Sequence, residues 1–215
     1  EVIKGSTDKL GANSDGTELR YQNNVFVQNP YWAAYQWYRR DITNRVIGSF
    51  SLQYDFTDYL YALVRAGTDV SFRDNNSTEA YGTAFKPKGS YNETFQKLYQ
   101  NNFEFIVGGE TSFDAFNFDY LVGISGWRNQ SELKGAGGGD LVVPFFGSLN
   151  NVKAPTKRFN FSELGQNSIF GTVNIGYDEW VYLNISARQD QFSTLNPKDN
   201  RILYPSVGTS IVLSE

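Results

Sequence analysis

From Arg45 onward, apolar and polar residues alternate with a period of two through much of the chain, which predicts β-strands with two unlike faces. In Arg45 to Asp55, Val46, Gly48, Phe50, Leu52 and Tyr54 oppose Arg45, Ile47, Ser49, Ser51, Gln53 and Asp55. After a short turn at Phe56-Thr57-Asp58, Leu60, Ala62, Val64, Ala66, Val70 and Phe72 oppose Arg65, Gly67, Asp69 and Ser71. Phe103, Phe105, Val107 and Gly109 then oppose Glu104, Gly108 and Glu110. Past a turn at residues 112–115, Phe116, Phe118, Tyr120, Val122 and Ile124 oppose Asn117, Asp119, Gly123 and Ser125. A third hairpin sets Ile169, Gly171, Val173, Ile175 and Tyr177 on one face, turns at Asp178-Glu179, and returns with Val181, Leu183, Ile185 and Ala187. The seventh run sets Val207, Thr209, Ile211 and Leu213 against Ser206, Gly208 and Ser210.

The expected strands lie near residues 45–55, 60–72, 97–111, 116–129, 167–178, 180–190 and 202–214. Tight turns join them in pairs at one end. Long polar loops, near residues 73–95, 130–165 and 191–201, join them at the other, and residues 1–44 read as one more long loop region. The Gly135 to Gly139 run lacks the Lys and the strand-to-helix setting of a phosphate cradle, and reads as flexible loop.

Composition narrows the class. Hydrophobic residues make 40% of the chain and charged residues 20%, too apolar a balance for disorder. Seventeen Phe, 14 Tyr and 4 Trp beside 20 Gly favour strands and turns over helices. No apolar run reaches the ~18 residues of a membrane helix, and no signal peptide opens the chain. With His 0 and Cys 0, zinc fingers, Cys or His nucleophiles, His-ligated haem and disulfides are excluded. A net charge of −4 offers nucleic acid no basic footprint. Glu104 and Glu110, a conceivable glycosidase pair, would sit ~20 Å apart on one strand. No catalytic residue, metal site or cofactor is expected, and the chain is not read as an enzyme. Met 0 and an initial Glu1 suggest a processed chain or a piece of a longer one.

Alternation alone suits either a soluble β-sandwich or a membrane barrel. Three features favour the barrel: the short-turn, long-loop asymmetry, strands at or above the ~9–11 residues that cross a bilayer, and aromatics beside every short turn. Those aromatics are Tyr54, Phe56 and Tyr59, then Phe113, Phe116 and Phe118, then Tyr177, Trp180 and Tyr182. Seven strands are odd and fall short of the ~8 of the smallest barrels. Open sheet edges in lipid would leave backbone groups unsatisfied, so the segment is expected to lie inside a larger barrel. The alternative is a soluble β-sandwich carbohydrate-binding module with Trp32 and Trp37 as a sugar platform.

Several stretches carry a resemblance. Asn29-Pro30-Tyr31-Trp32, Asn44-Arg45-Val46-Ile47-Gly48 and Leu52-Gln53-Tyr54-Asp55-Phe56-Thr57-Asp58-Tyr59-Leu60 resemble the mid-barrel of SusC/RagA-type TonB-dependent outer-membrane transporters. So do Gly137 to Pro144, Tyr182 to Asp190, Ser193-Thr194-Leu195, Asp199-Asn200-Arg201 and Tyr204-Pro205-Ser206-Val207, with Leu213-Ser214-Glu215 at the close. The resemblance covers roughly residues 29–215. It implies an all-β fold, an antiparallel transmembrane β-barrel segment giving about seven strands of a barrel of about 22. Residues 1–44 would be an extracellular loop region and residues 45–215 the partial barrel.

The implied function is TonB-dependent nutrient import across the bacterial outer membrane of Bacteroidetes-type organisms. The implied partners are a SusD-like lipoprotein lid, TonB (contacted through parts outside this chain), an oligosaccharide or peptide substrate, and outer-membrane lipid. Arg65, Asp69, Glu104, Glu110, Asp119, Arg188 and Asp190 would face the lumen and chiefly the plug. Tyr31, Trp32, Tyr35, Trp37 and Tyr38 could stack on substrate, or pack within the loop or against the lid.

Overall fold

The protein was analysed as a computed structural model, which describes residues 9–20 and 22–213. One helix and seven strands follow in the order α1 (Pro30–Gln36), β1 (Tyr38–Thr57), β2 (Leu60–Glu79), β3 (Ser90–Phe113), β4 (Phe116–Gly139), β5 (Thr156–Tyr177), β6 (Val181–Phe192) and β7 (Arg201–Ile211), with a 3-10 turn at Leu149–Asn151. The strands form one antiparallel sheet in sequence order, β1 to β7. The two-layer arrangement of a sandwich is not present among the described residues.

All seven expected strands exist, but their bounds differ. β1 begins at Tyr38, within the region read as loop, and α1 precedes it. The expected loops at 73–95, 130–165 and 191–201 contract, because β2 runs on to Glu79, β3 starts at Ser90, β4 reaches Gly139, β5 starts at Thr156 and β6 ends at Phe192. The reason is physical. Ladder hydrogen bonds need no apolar side chain, so a strand outlasts the stretch over which one of its faces is greasy. The Gly135 to Gly139 run is strand as well. A Cβ on Gly135 would stand 2.9 Å from the Glu93 carbonyl oxygen, and one on Gly137 2.5 Å from that of Tyr91. Glycine there lets β4 lie close against β3. Of the earlier assignments, residues 1–8, Tyr21, Ser214 and Glu215 lie outside the described residues.

The short turns are tight. Asp114, Asp178 and Glu179 adopt left-handed φ values of 55°, 50° and 61°, a region that Asp tolerates better than most side chains. The observed turns, Asp58-Tyr59, Asp114-Ala115 and Asp178 to Trp180, lie within a residue or two of their expected places.

The chain divides into two compact units, one of Glu1–Asn44, Ser71–Lys97 and Ser131–Phe161, the other of Arg45–Val70, Leu98–Gln130 and Ser162–Glu215. The first has a small conventional core of Ala12, Trp32 and Ala80, with Trp37 packed against it. α1 is capped by Asn29, whose side chain accepts from the amides of Tyr31 and Trp32, and Pro30 needs no amide partner at the first helical position. Buried Glu18 accepts from the amides of Asn29 at 2.7 Å and Ala84 at 2.8 Å, so its charge is met by backbone dipoles. Among the described residues the buried large apolar side chains of the second unit are Leu63 and Ile106, and its organisation lies in its two faces.

Candidate functional site

In the second unit the register of β5, β6 and β7 brings like with like. Val173 pairs with Ile185, which pairs with Val207; Ile175 pairs with Leu183, and Tyr177 with Val181, which pairs with Ile211. This apolar face is open: Ile169 is 52% exposed and Val207 70%. On the other face Ser168 pairs with Asp190, Thr172 with Ser186 and Asn174 with Asn184. There Ser168 and Asp190 are buried, at 7% and 6% exposed, and Thr172, Ser186, Asn174 and Asn184 are partly covered. Val46, Phe50 and Leu52 on β1, Phe103 on β3, and Val122 and Ile124 on β4 are exposed in the same way.

The polar face is wired across strands. Arg188 donates from Nε to Asp190 at 2.7 Å and from a guanidinium nitrogen to Ser168 Oγ at 2.9 Å, while its guanidinium lies 5.6 Å from the Phe170 ring. Arg65 on β2 reaches Glu104 on β3 at 3.1 Å, and Asp69 is held by Arg45 of β1. Asn174 donates to Asp119 at 3.0 Å and accepts from Asn184. Glu110 lines a groove of about 580 Å³ with Asp58, Asn117 and Asp119. The polar residues expected to face the lumen thus share one face, and Glu104, Asp69, Asp119 and Asp190 each meet a partner on a neighbouring strand. Arg45, Ser168, Asn174 and Asn184 belong to these networks. Their period-two position was visible in the sequence, but their pairing needs the register.

At the short turns the aromatic residues cluster. Tyr54 and Phe56 meet edge-on at 4.9 Å, and Phe116 lies 4.9 Å from Tyr177. All four are substantially exposed.

In the first unit the expected aromatic platform separates into two groups. Trp32 is 0% exposed and donates through Nε1 to Thr83 Oγ1 at 2.9 Å; half-buried Trp37 donates to the same oxygen at 3.2 Å. These two indoles are structural anchors. Tyr31 and Tyr35, one helical turn apart, stack at 6.5 Å, and Tyr35 and Tyr38 are largely exposed. Thr83, which holds both indoles, carried no sequence signal. Among the described residues, no three carboxylates gather as a metal site.

No protein-family model and no curated protein matches the sequence. Among solved structures, the RagAB peptide transporter aligns with a TM-score of 0.80 at 19% identity, over 91% of this chain and 23% of that one. The chain has the fold of a transporter β-barrel segment. The RagAB peptide importer in its open-open state gives a TM-score of 0.73 at 20% identity, over 91% and 23% of the two chains. BauA, the ferric preacinetobactin receptor from Acinetobacter baumannii, gives 0.50 at 13%, over 80% and 28%. The chain spans less than a third of the length of each of these solved chains. Among the described residues its sheet is not closed: β1 pairs only with β2, and β7 only with β6.

Proposed function

We propose that the chain forms part of the wall and external loops of a SusC/RagA-type importer in the bacterial outer membrane. One observation carries this reading. Along β5 to β7 Ile169, Val173, Ile185 and Val207 are exposed while Ser168 and Asp190 on the opposite face are covered, as in a barrel with lipid outside and water within. The aromatic clusters at the turns fit a headgroup-level girdle. Strands β1 to β5, 20 to 24 residues long, exceed the ~9–11 needed to cross, which suits strands that project beyond the bilayer.

On this reading the Arg65–Glu104, Arg45–Asp69 and Arg188–Asp190 pairs line the lumen and offer alternating charge to a plug domain. Tyr31, Tyr35 and Tyr38 face an oligopeptide or oligosaccharide cargo or a lipoprotein lid. RagAB, which the chain resembles in fold, is a peptide transporter, and this favours peptide cargo. Energy would come through TonB, contacted by parts of the protein outside this chain.

The test is location and assembly. The protein carrying this chain should fractionate with outer membranes, shift its gel mobility on heating as folded barrels do, and co-purify with a lipoprotein. Recovery as a soluble monomer would sink the proposal.

A further inference from the structure

Asp15-Gly16 is the one Asp-Gly step in the sequence, and no Asn-Gly step occurs. A glycine lets its amide nitrogen approach the preceding carboxyl without a Cβ in the way, so this step closes to a cyclic imide more readily than other Asp-X steps. The pair lies in an exposed turn of the first unit, with Gly16 at a φ of 82°. Both reacting groups are held. The Gly16 amide donates to the Asn13 carbonyl at 3.0 Å, and the Lys9 ammonium donates to the Gly16 carbonyl at 3.2 Å. The Asp15 carboxylate accepts from the Thr17 amide at 2.9 Å and the Thr17 hydroxyl at 2.7 Å. That hydroxyl accepts in turn from Asn13 Nδ2 at 3.2 Å, a group that can only donate, so its own proton is turned toward Asp15. Asn13, Thr17 and Asp15 thus form a relay that favours the ionised carboxyl.

We propose that Asp15 is a site of spontaneous isoaspartate formation that Thr17 holds dormant. In this reaction the Gly16 nitrogen attacks Asp15 Cγ. The N–Cγ bond forms, the Cγ–OH bond of the protonated carboxyl breaks, and the hydroxyl leaves with the amide proton as water. Water then opens the imide ring. Opening at the main-chain carbonyl carbon routes the backbone through Cβ and adds one atom to it. An ionised carboxyl held by two donors is a poor electrophile, which is how Thr17 slows the first step. The added atom falls between Asn13 and Thr17, whose backbones bond at 2.8 Å. It also lies beside Glu18, which accepts from the amides of Asn29 and Ala84. Isomerisation therefore loosens the segment that seats helix α1. This chemistry needs only the local turn and stands whether or not the sheet lies in lipid.

The experiment ages the intact protein that carries this chain, in its native fold, in neutral buffer. Samples are digested with trypsin, and the Leu10–Arg20 peptide is followed by chromatography and mass spectrometry. Isoaspartate appears as a separated isomer of unchanged mass that accepts a methyl group from an isoaspartyl methyltransferase; deamidation of Asn13 changes the mass and is told apart. Wild type should form the isomer slowly. Thr17→Val should form it roughly tenfold faster, the change expected when a hydrogen bond to a charged group is lost, and Thr17→Ser should match wild type. Asn13→Ala, which leaves the hydroxyl present but unaimed, should fall between, and it carries the test if Thr17→Val does not fold. Asp15→Glu, whose longer side chain closes a less favourable ring, should stay at background. Equal rates in wild type, Thr17→Val and Asn13→Ala, or a Thr17→Ser rate equal to that of Thr17→Val, would overturn the proposal. Protease cleavage within residues 9–44 should rise only as the isomer accumulates. Cleavage of fresh Thr17→Val ahead of any isomer would make Thr17 a support of the fold and overturn the proposal as well.

Discussion

The two units of this chain follow opposite rules of burial. In the first, Trp32, Ala12 and Ala80 are inside, and the buried polar groups Glu18, Asn29 and Thr83 are each saturated by hydrogen bonds. In the second, Val46, Ile169, Ile185 and Val207 stand open, while Ser168 and Asp190 are covered alongside Leu63 and Ile106. Apolar residues do not prefer an interior as such; they prefer whatever is least like water. One unit finds that within itself, and on the proposed barrel reading the other finds it in lipid. The same amino-acid alphabet therefore gives a conventional core and an inverted one within a single chain.

Substitutions should separate the two rules. Trp32→Ala should have the largest effect, about 3–5 kcal/mol from the cavity, with the Thr83 hydroxyl also losing a donor. It should appear as protease cleavage within residues 9–44, while heat-modifiable gel mobility persists. Val173→Arg should come next, at about 2–4 kcal/mol on a lipid face. It should lower the folded fraction in outer membranes, whereas Ser186→Arg on the opposite face of β6 should leave that fraction near wild type. A matching loss from both would erase the contrast between faces.

Smaller effects probe the loops. Asn151 is buried, donates to the carbonyls of Val143 at 2.8 Å and Phe146 at 2.6 Å, and accepts from the Val143 amide at 2.7 Å. Asn151→Ala should cost about 1–3 kcal/mol by leaving such groups unmet, read as faster proteolysis between residues 141 and 152. The smallest effect is electrostatic. Hydrogen bonds from the Thr17 hydroxyl, at 2.7 Å, and the Thr17 amide, at 2.9 Å, hold the Asp15 carboxyl below the usual carboxylate range. A depressed folded-state value means stabilisation present above the ordinary carboxylate pKa and lost as pH falls through the depressed one. Protease resistance of this loop should decline over that acidic window, and Asp15→Asn should flatten the decline.

The hairpins of the second unit were legible because apolar residues recur at every other position: Val173, Ile175, Leu183 and Ile185 repeat the pattern without interruption. The outer parts of the same strands were not. At Arg39-Arg40-Asp41, Asn75-Asn76-Ser77 and Lys157-Arg158 both faces are polar, so no period survives to distinguish strand from loop. Helix α1 was read as loop, because its seven residues are too few for a 3.6-residue period to stand out. That period decides the aromatics, placing Tyr31 over Tyr35 and turning Trp32 inward. The glycines at 135–139 looked like slack and proved to be a close seam between strands, a distinction set by what lies opposite them.

The first and last strands, β1 and β7, each present a bare row of amides and carbonyls along their free side. Such rows are templates for pairing with another copy. A polypeptide limited to these residues and released into buffer should polymerise edge to edge, stacking into ribbons with strands ~4.8 Å apart. Fibre diffraction from the resulting precipitate would display that spacing. In a cell, the same stickiness makes the order in which neighbouring hairpins arrive a matter of quality control.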